Sequence, residues 1–537
     1  MVATTFAVDT PLAVTGLTVR YGIAGNWLWW SLLLSGMLTV FFFARLWRRA
    51  GTLTDIEFVE LRYAGRPAAF LRGFRALYLG VVMNCLIMGW VNLAMVKVLT
   101  LTLGISKLEA VFACLAITAA YTTISGLWGV LVTDLFQFIL MVTMTVLLAY
   151  FAVDAVGGLA MLKTRVLALD ASRQVTAGSD SLLAFVPSLD SAWMPWFVFL
   201  VYLGVNWWAS WYPGAEPGGG GYVAQRIFSA KDEKHSLWTT LWFNIAHYAV
   251  RPWPWILVAL ASAVLYPQLA DKEAGYVRVM VDHLPASLRG LMLAAFLAAY
   301  MSTVSTHLNW GASYVVNDFY RRFVRGRADE RHYVRVGRLA TLGLMVVAAV
   351  VTYFLRSIEQ AWRLLLMIGA GTGAVYLLRW YWWRINAWSE ISAMVAAFGV
   401  SVFIQKTAVF VGSAQVVFAK TMLTTTLVCS GVWLAVTFLT RATPAEHLLK
   451  FYRRVRPAVT GWRPIAALAP DVSPARPGWY NLRAWVLGCA LVYCALFGTG
   501  KLLLGAWAAG IALVGGAGLA GWLLYADFRR RGWESFG

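Results

Sequence analysis

Phe6-Ala7-Val8-Asp9-Thr10-Pro11-Leu12-Ala13-Val14 places a carboxylate and a helix breaker inside an otherwise apolar stretch, residues 1–20. A second interruption comes much later. There Asn206-Trp207-Trp208-Ala209-Ser210 runs into Pro213-Gly214-Ala215-Glu216-Pro217 and the four glycines 218–221. Proline has no backbone N–H and its ring clashes with the preceding turn, so each site ends or kinks a helix. Backbone broken at membrane depth is tolerated only where it lines a cavity or is buried in protein.

The rest of the chain supplies the membrane. Apolar stretches of about twenty residues, enough to cross a hydrocarbon core of about 30 Å, stand out at 131–153, 286–304, 338–355, 419–439 and 503–525. Hydrophobic residues make up 60% of the 537 and charged residues 13%, against about a quarter charged in an ordinary soluble domain. Mean hydropathy is +0.66. The pattern predicts fourteen spans: 1–20, 22–46, 70–100, 107–125, 127–156, 191–213, 236–267, 286–318, 333–356, 360–381, 387–408, 419–440, 483–502 and 503–526. The two interruptions then fall in the first span of each of two five-span sets, the sequence pointer to an inverted-repeat transporter. Two ordinary proline kinks would explain the breaks alone, but other polar residues gather at the same places.

The expected organisation is a first repeat over 1–156, an extracellular loop over 157–190, and a second repeat over 191–381. Two additional spans over 382–440, a basic cytoplasmic segment over 441–482, and the last two spans with a tail over 483–537 complete it. The last two spans are expected to be peripheral.

The net charge of +20 is explained by its placement. Arg45 to Arg75, Arg226 to Lys234, Arg321 to Arg331, Arg379, Arg384, the stretch from Arg441 to Arg483, and Arg529–Arg531 all fall on alternate connections. The long loops 157–190 and 268–285 are poor in Lys and Arg. That asymmetry makes the basic side cytoplasmic, and it leaves no role for nucleic acid. The five cysteines form no CxxC pair and read as inert buried thiols.

Ionisable and hydroxyl groups inside spans are costly and default to functional candidates. Asp9 and Asp134 are the acidic ones. Ser302, Ser305 and Thr306 fall at i, i+3 and i+4 on one helical face, with Thr303 beside them. Such hydroxyls suit a hard cation that wants oxygen ligands, or they bond back to their own helix. Arg251 lies in His247-Tyr-Ala-Val-Arg251-Pro252-Trp-Pro254. It reads equally as a substrate contact or as a structural partner for an acid such as Glu216.

At these residues the chain resembles the sodium:solute symporter family. Tyr121 to Gln137 is similar to its Y-T-x-x-G-G-L-x-x-V-x-x-T-D-x-x-Q signature, with Ser125 in place of the first glycine. Gln225-Arg226-Ile-Phe-Ser-Ala-Lys231, Met301 to Thr306 and Asn317-Asp318-Phe-Tyr320 resemble further motifs. The resemblance implies an all-α, leucine-transporter-like five-plus-five fold with extra C-terminal spans, in the cell (inner) membrane. It implies Na⁺ coupling, a small polar organic solute as substrate, and alternating access.

Residue by residue, it implies a sodium site from the carbonyls of Ala7, Thr10 and Ala299 and the hydroxyls of Ser302 and Thr303. A second ion site would use Asp134, Ser305 and Thr306. Asn206, Arg251 and Asp9 are the implied substrate contacts. The chain departs from the sugar carriers where it offers Trp27, Trp29 and Trp30 for a glutamate and Trp362 for a glutamine, so a glucose-type site is not expected. Family members carry an extra helix before the first core helix, so Met1 is expected to be a misassigned or truncated start. The rival readings are a membrane transferase acting on lipid-linked substrates and a transporter-like sensor.

Overall fold

The computed structural model describes residues 2, 5–124, 127–177, 180–189, 191–208, 218–472 and 479–531. It is 81% helical, with no strand among the described residues. The first half comprises α1 (Asp9–Tyr21), α2 (Ile23–Ala50), α3 (Gly65–Leu103), α4 (Lys107–Ile124) and α5 (Leu127–Val156). The second comprises α6 (Trp196–Gly204), α7 (Glu233–Leu265), α8 (Ala286–Val324), α9 (Glu330–Phe354) and α10, which is Ile358–Ala370 resumed at Gly373–Tyr381. Beyond them lie α11 (Ala387–Thr407), α12 (Ala414–Leu439), α13 (Trp479–Leu503) and α14 (Trp507–Arg531).

Among the described residues, ten helices are long and apolar enough to cross a membrane. The other expected spans correspond to α1, α4, α6 and α10. Helix α1 begins only at Asp9, after non-helical Phe6 and Ala7, because Pro11 fits within a first turn, where its missing donor leaves no bond unmade. The Pro11 carbonyl accepts from Thr15 Oγ1 at 2.8 Å. Helix α6 stops at Gly204 and gives way to a 3₁₀ turn, Asn206–Trp208. The chain is helical again over Gly221–Phe228. Most of the Pro/Gly-rich stretch, 209–217, lies outside the described residues.

Helix α1 sits at the centre, packed on α7, α3 and α10, while α5 packs on α7 and α8, and α8 also on α3 and α9. The break in α10 was not visible in the sequence. It is made possible by Gly371, where a Cβ would lie 2.6 Å from Cys429 Sγ and 2.7 Å from Ala397 Cβ. The gap lets α10 lie directly against α11 and α12. Helix α9 is the opposite case: only 17% of its most apolar window is buried, against 83% for α3. Its outward face (Leu339, Leu342, Val346, Val350) is apolar, as a lipid-facing surface must be.

The last hairpin is mostly exposed, 33% and 22% of its two most apolar stretches being buried, but it is tied to the core. On α13, Trp485 Nε1 donates to Leu34 O at 2.9 Å and Tyr493 Oη to Trp30 O at 2.9 Å. Trp253 Nε1 of α7 donates to Leu496 O at 2.7 Å. Helix α13 thus braces α2 and α7, and α14 lies against it.

The basic segment 441–482 is a packed element as far as it is described. Its helix Ala445–Val455 buries Leu448, Phe451, Tyr452 and Val455, spaced i, i+3, i+4 and i+7, in one cluster with Phe43, Trp47, Phe58 and Trp380. Trp462 Nε1 donates to Trp380 O at 2.8 Å. Arg62, fully buried, lies 4.7 Å from the Trp462 ring centroid and donates to the carbonyls of Arg379 and Trp382 at 2.8 and 3.0 Å. Nearby, Glu390 receives Arg75 at 2.8 Å, Arg379 at 3.3 Å and Tyr63 Oη at 2.6 Å. Removing one member of such a buried set leaves an uncompensated charge, costing about 3 kcal/mol or more. Glu390→Gln should therefore lower the thermal unfolding midpoint in detergent by several degrees. An unchanged midpoint would show that the cluster does not hold this end of the molecule together.

Candidate functional site

Asp9 is the first helical residue of α1, where a carboxylate is favoured by the helix N-terminus. It is 1% exposed, and its Oδ1 has no hydrogen-bond partner among the described residues. It lines a cavity of about 50 Å³ with Thr5, Thr10, Leu28, Trp29, Leu32, His247, Trp362 and Leu366. The indole N–H edges of Trp90 and Trp362 are directed at the carboxylate. The break in α1 thus opens onto a space bounded by α2, α7 and α10, as backbone interrupted at that depth requires.

The residues of the implied sodium site are all buried: Ala7 and Thr303 at 0%, Ser302 at 1%, Ala299 at 3% and Thr10 at 8% exposure. Thr10 lines the cavity and Ser302 and Thr303 do not. Of the second group, Ser305 Oγ and Thr306 Oγ1 both donate to the Ser302 carbonyl, at 3.2 and 2.9 Å. Asp134 is on α5, but its side chain lies outside the described residues, as does most of the 121–137 signature.

Asn206 and Arg251 do not line the cavity. Asn206 Nδ2 donates to Leu28 O and Ser31 Oγ, each at 2.8 Å, and ties the break in α6 to α2. Arg251 is 2% exposed, 4.9 Å from the Phe6 ring centroid and 5.4 Å from that of Trp255. It donates to Val2 O at 3.3 Å and contacts His247 Nδ1. Glu216, the acid considered for it, lies outside the described residues.

His247 is the cavity residue that the sequence reading passed over. It sits in a π-helical turn, Ala246–Val250, closed where Arg251 N–H reaches Ala246 O at 3.3 Å. Pro252 and Pro254 follow at the start of the next helical stretch. Guanidinium N–H groups only donate, so His247 Nδ1 is the acceptor and its ring proton sits on Nε2. The available signal was the i, i+4 spacing of His247 and Arg251 on a prolyl-interrupted span.

Both ends of the core are tied. At the end that carries the 157–190 loop, Arg20 at the end of α1 pairs with Glu359 of α10 at 2.5 Å, and Arg363 reaches the same carboxylate at 2.8 Å. Glu273, from the loop between α7 and α8, is 1% exposed. It accepts Lys97 of α3 at 2.6 Å, Ser357 Oγ at 2.9 Å, and the Ile358 and Glu359 N–H groups at 3.1 Å. Arg173 donates to the Arg20 carbonyl at 2.7 Å from the helix Leu159–Ala177, within the 157–190 loop.

At the opposite end, Asp55 accepts Gly221 N–H at 2.9 Å and Tyr314 Oη, joining the α2–α3 connection to the helix Gly221–Phe228 and to α8. Asp318 of α8 accepts Thr54 Oγ1 at 2.9 Å and Arg72 Nη2 at 2.7 Å. Glu60 receives Arg72 at 2.6 Å and Arg322 at 3.0 Å. Burial alone would raise its carboxyl, but Arg322 and Arg72 outweigh that and hold it below its usual pKa. The small cavity beside Asp9 therefore lies in a core whose two ends both carry ion-pair and hydrogen-bond ties.

Comparison with known proteins supplies the family. The sequence model of the sodium:solute symporter family matches residues 3–397. Solute carrier family 5 member 4B of Mus musculus is 24% identical over 413 residues, covering 70% of this chain and 60% of that protein. Sodium/glucose cotransporter 1 of Oryctolagus cuniculus is 24% identical over 441 residues, covering 75% and 65%. The chain thus spans under two thirds of those relatives. The sodium/glucose cotransporter of Vibrio parahaemolyticus is 22% identical over 427 residues, covering 75% and 76%. A solved structure of a Na⁺-coupled sialic acid symporter, substrate-bound and outward-open, superimposes with a TM-score of 0.62 at 17% identity, covering 82% of this chain and 89% of that one. It shares the five-plus-five inverted-repeat fold. On the match across residues 3–397, the chain belongs to the sodium:solute symporter family and is a multi-pass membrane protein.

Proposed function

We propose that the protein is a sodium-coupled symporter that carries a small polar organic solute across the cell (inner) membrane by alternating access. The observation that carries this reading is the break of α1 beside Asp9, open to an internal cavity, in a chain whose residues 3–397 match the family. The sodium-coupled activities named for the relatives support it. A transporter needs a site at mid-depth with closable ends, and a transferase for lipid-linked substrates needs acids or histidines on a loop at the membrane face. Asp9 and His247 are buried instead.

Sodium binds between α1 and α8, through the carbonyls of Ala7, Thr10 and Ala299 and the hydroxyls of Ser302 and Thr303. Asp134, Ser305 and Thr306 form a second ion site, and Asn206, Arg251 and Asp9 serve the solute. Arg251 acts through His247, which it orients at the cavity wall. An ion drives transport only if it binds one conformation better than the other, and a site split between two helices that separate does that. Each inward charge adds about 2.3 kcal/mol at 100 mV. The inner and outer ties then open alternately.

Three outcomes follow from this reading. Ser302→Ala/Thr303→Ala should raise the sodium concentration for half-maximal uptake, measured in proteoliposomes against a solute panel; unchanged sodium dependence would place the ion elsewhere. Arg251→Gln should alter solute selectivity and leave sodium binding without solute nearly intact. Loss of folded protein with no change of selectivity in the remainder would make Arg251 a structural residue. Finally, Thr10→Cys, in a background lacking the five native cysteines, should become reactive to an impermeant thiol reagent from outside with Glu359→Gln. With Asp55→Asn it should become reactive from inside. Equal exposure from both faces in either variant would contradict alternating closure.

A further inference from the structure

A groove of about 680 Å³ runs between α8 and α9, bordered by Ala119 of α4. It shares no described residue with the cavity beside Asp9. Its polar wall holds Asn309 and Ser313 of α8 with Arg338 and Thr341 of α9, and Val334, Leu342 and Met345 are apolar. The apolar side continues into the outward face of α9, where Leu339, Val346 and Val350 are exposed.

Two of these side chains are out of place in membrane spans. Arg338 stands eight residues beyond Glu330, the first residue of α9, which is about 12 Å along the axis at 1.5 Å per residue. Asn309 lies well inside α8. Both are exposed, and neither has a side-chain partner among the described residues. Polar and charged groups at such depth are costly unless something polar meets them.

The surroundings are short of acids. Arg331, Arg335 and Arg338 fall at i, i+4 and i+7, so one stripe of α9 carries three guanidiniums from the helix start into the groove. All three are exposed and without an ion pair among the described residues. The neighbouring acids are engaged elsewhere: Asp329 caps α9 by accepting from His332 N–H, and Glu330 pairs with Arg321 at 3.7 Å. Thr341 Oγ1 donates to its own helix, at Gly337 O. Ser313 Oγ accepts from Asn317 Nδ2 at 3.2 Å, which leaves its O–H as a donor.

The groove thus offers a guanidinium, an amide and a hydroxyl beside an apolar wall that opens to lipid. A basic pocket between spans, polar at one side and apolar at the other, suits a molecule that is anionic at one end and hydrocarbon at the other. A small inorganic anion would leave the apolar wall bare. A zwitterionic headgroup would bring its own cation against three arginines.

We infer that the groove between α8 and α9 is a binding site for one anionic phospholipid. The phosphate meets Arg338, with Arg335 and Arg331 following it toward the helix start, since guanidinium donors match phosphate oxygens in pairs. Asn309 and Ser313 donate to the ester oxygens. An acyl chain lies along Leu342 and Met345 and leaves over Val346 and Val350. The site does not depend on which solute the protein carries.

The test is ligand-induced stabilisation of the full-length protein purified in an uncharged detergent. Thermal unfolding would be followed with short-chain phosphatidylglycerol, with phosphatidylcholine of the same chains, and with inorganic phosphate. Phosphatidylglycerol should raise the midpoint at concentrations where the other two do not. Arg338→Gln should raise the concentration needed about tenfold, and Asn309→Leu should raise it roughly fivefold. Both positions are exposed, so the two variants test the site independently of each other. Arg327→Gln, in the α8–α9 turn and outside the groove, should leave the response unchanged.

An equal response to phosphatidylcholine would overturn the inference, as would a phosphatidylglycerol response that survives either Arg338→Gln or Asn309→Leu. Equal weakening by Arg327→Gln would show diffuse attraction to surface charge in place of a site. Stabilisation by inorganic phosphate as strong as that by the lipid would make the groove a free-anion site and defeat the lipid reading.

Discussion

A helix that stops at membrane depth leaves backbone groups that hydrocarbon cannot satisfy, and the rest of this structure is arranged around that constraint. Phe6, Ala7 and Val8 are non-helical and fully enclosed. They are kept from lipid by α3, α7 and α10, on which α1 packs, and by the Trp-rich wall of α2. The cost of the break is offset by burial, and the break leaves a carboxylate facing an internal space with no side-chain cation paired with it among the described residues. Had Pro11 stood two turns later it would have broken a continuous helix. At its actual place it lies in the first turn, where no donor is needed.

Closure at the two ends is of different kinds. Outside, one buried glutamate, Glu273, caps the start of α10 and pairs with Lys97, while its neighbour in space, Glu359, holds Arg20 and Arg363. The contact is close enough that a Cβ on Gly16 of α1 would come within 2.8 Å of Glu273 Cγ. Inside, Asp55 joins three elements through one carboxylate, and the packed segment 445–472 adds an aromatic brace around Arg62. Ionic ties of this sort are reversible where water reaches them, since hydration replaces what the pair loses. The deep Glu390 cluster, wholly excluded from solvent, suits a permanent joint instead.

Much of this was legible in the chain. The breaks at Asp9–Pro11 and after Asn206 and the hydroxyl row on α8 were visible as local violations of an apolar pattern, and Trp362 through the family resemblance. What escaped was set by distant contacts. Glu273 and Glu359 sit in or beside loops, where an acid carries no signal until its partners are known. The break in α10 depends on Gly371 meeting Cys429 across two helices. His247 was hidden by the more conspicuous Arg251. The segment 441–482 read as a basic connection because its arginines dominate, yet Leu448, Phe451, Tyr452 and Val455 had the spacing of a helix with one buried face.

The central claim is that sodium biases a molecule whose two ends open in turn. Distances between paired spin labels test it most directly. One pair spans the outer tie at exposed Ser172 and Gln360, and one spans the inner tie at exposed Gln225 and Arg321. Adding sodium to the purified protein in bilayer discs should lengthen the outer distance while the inner one stays short. Lengthening of both in the same molecules, or no response of either to sodium, would contradict the account.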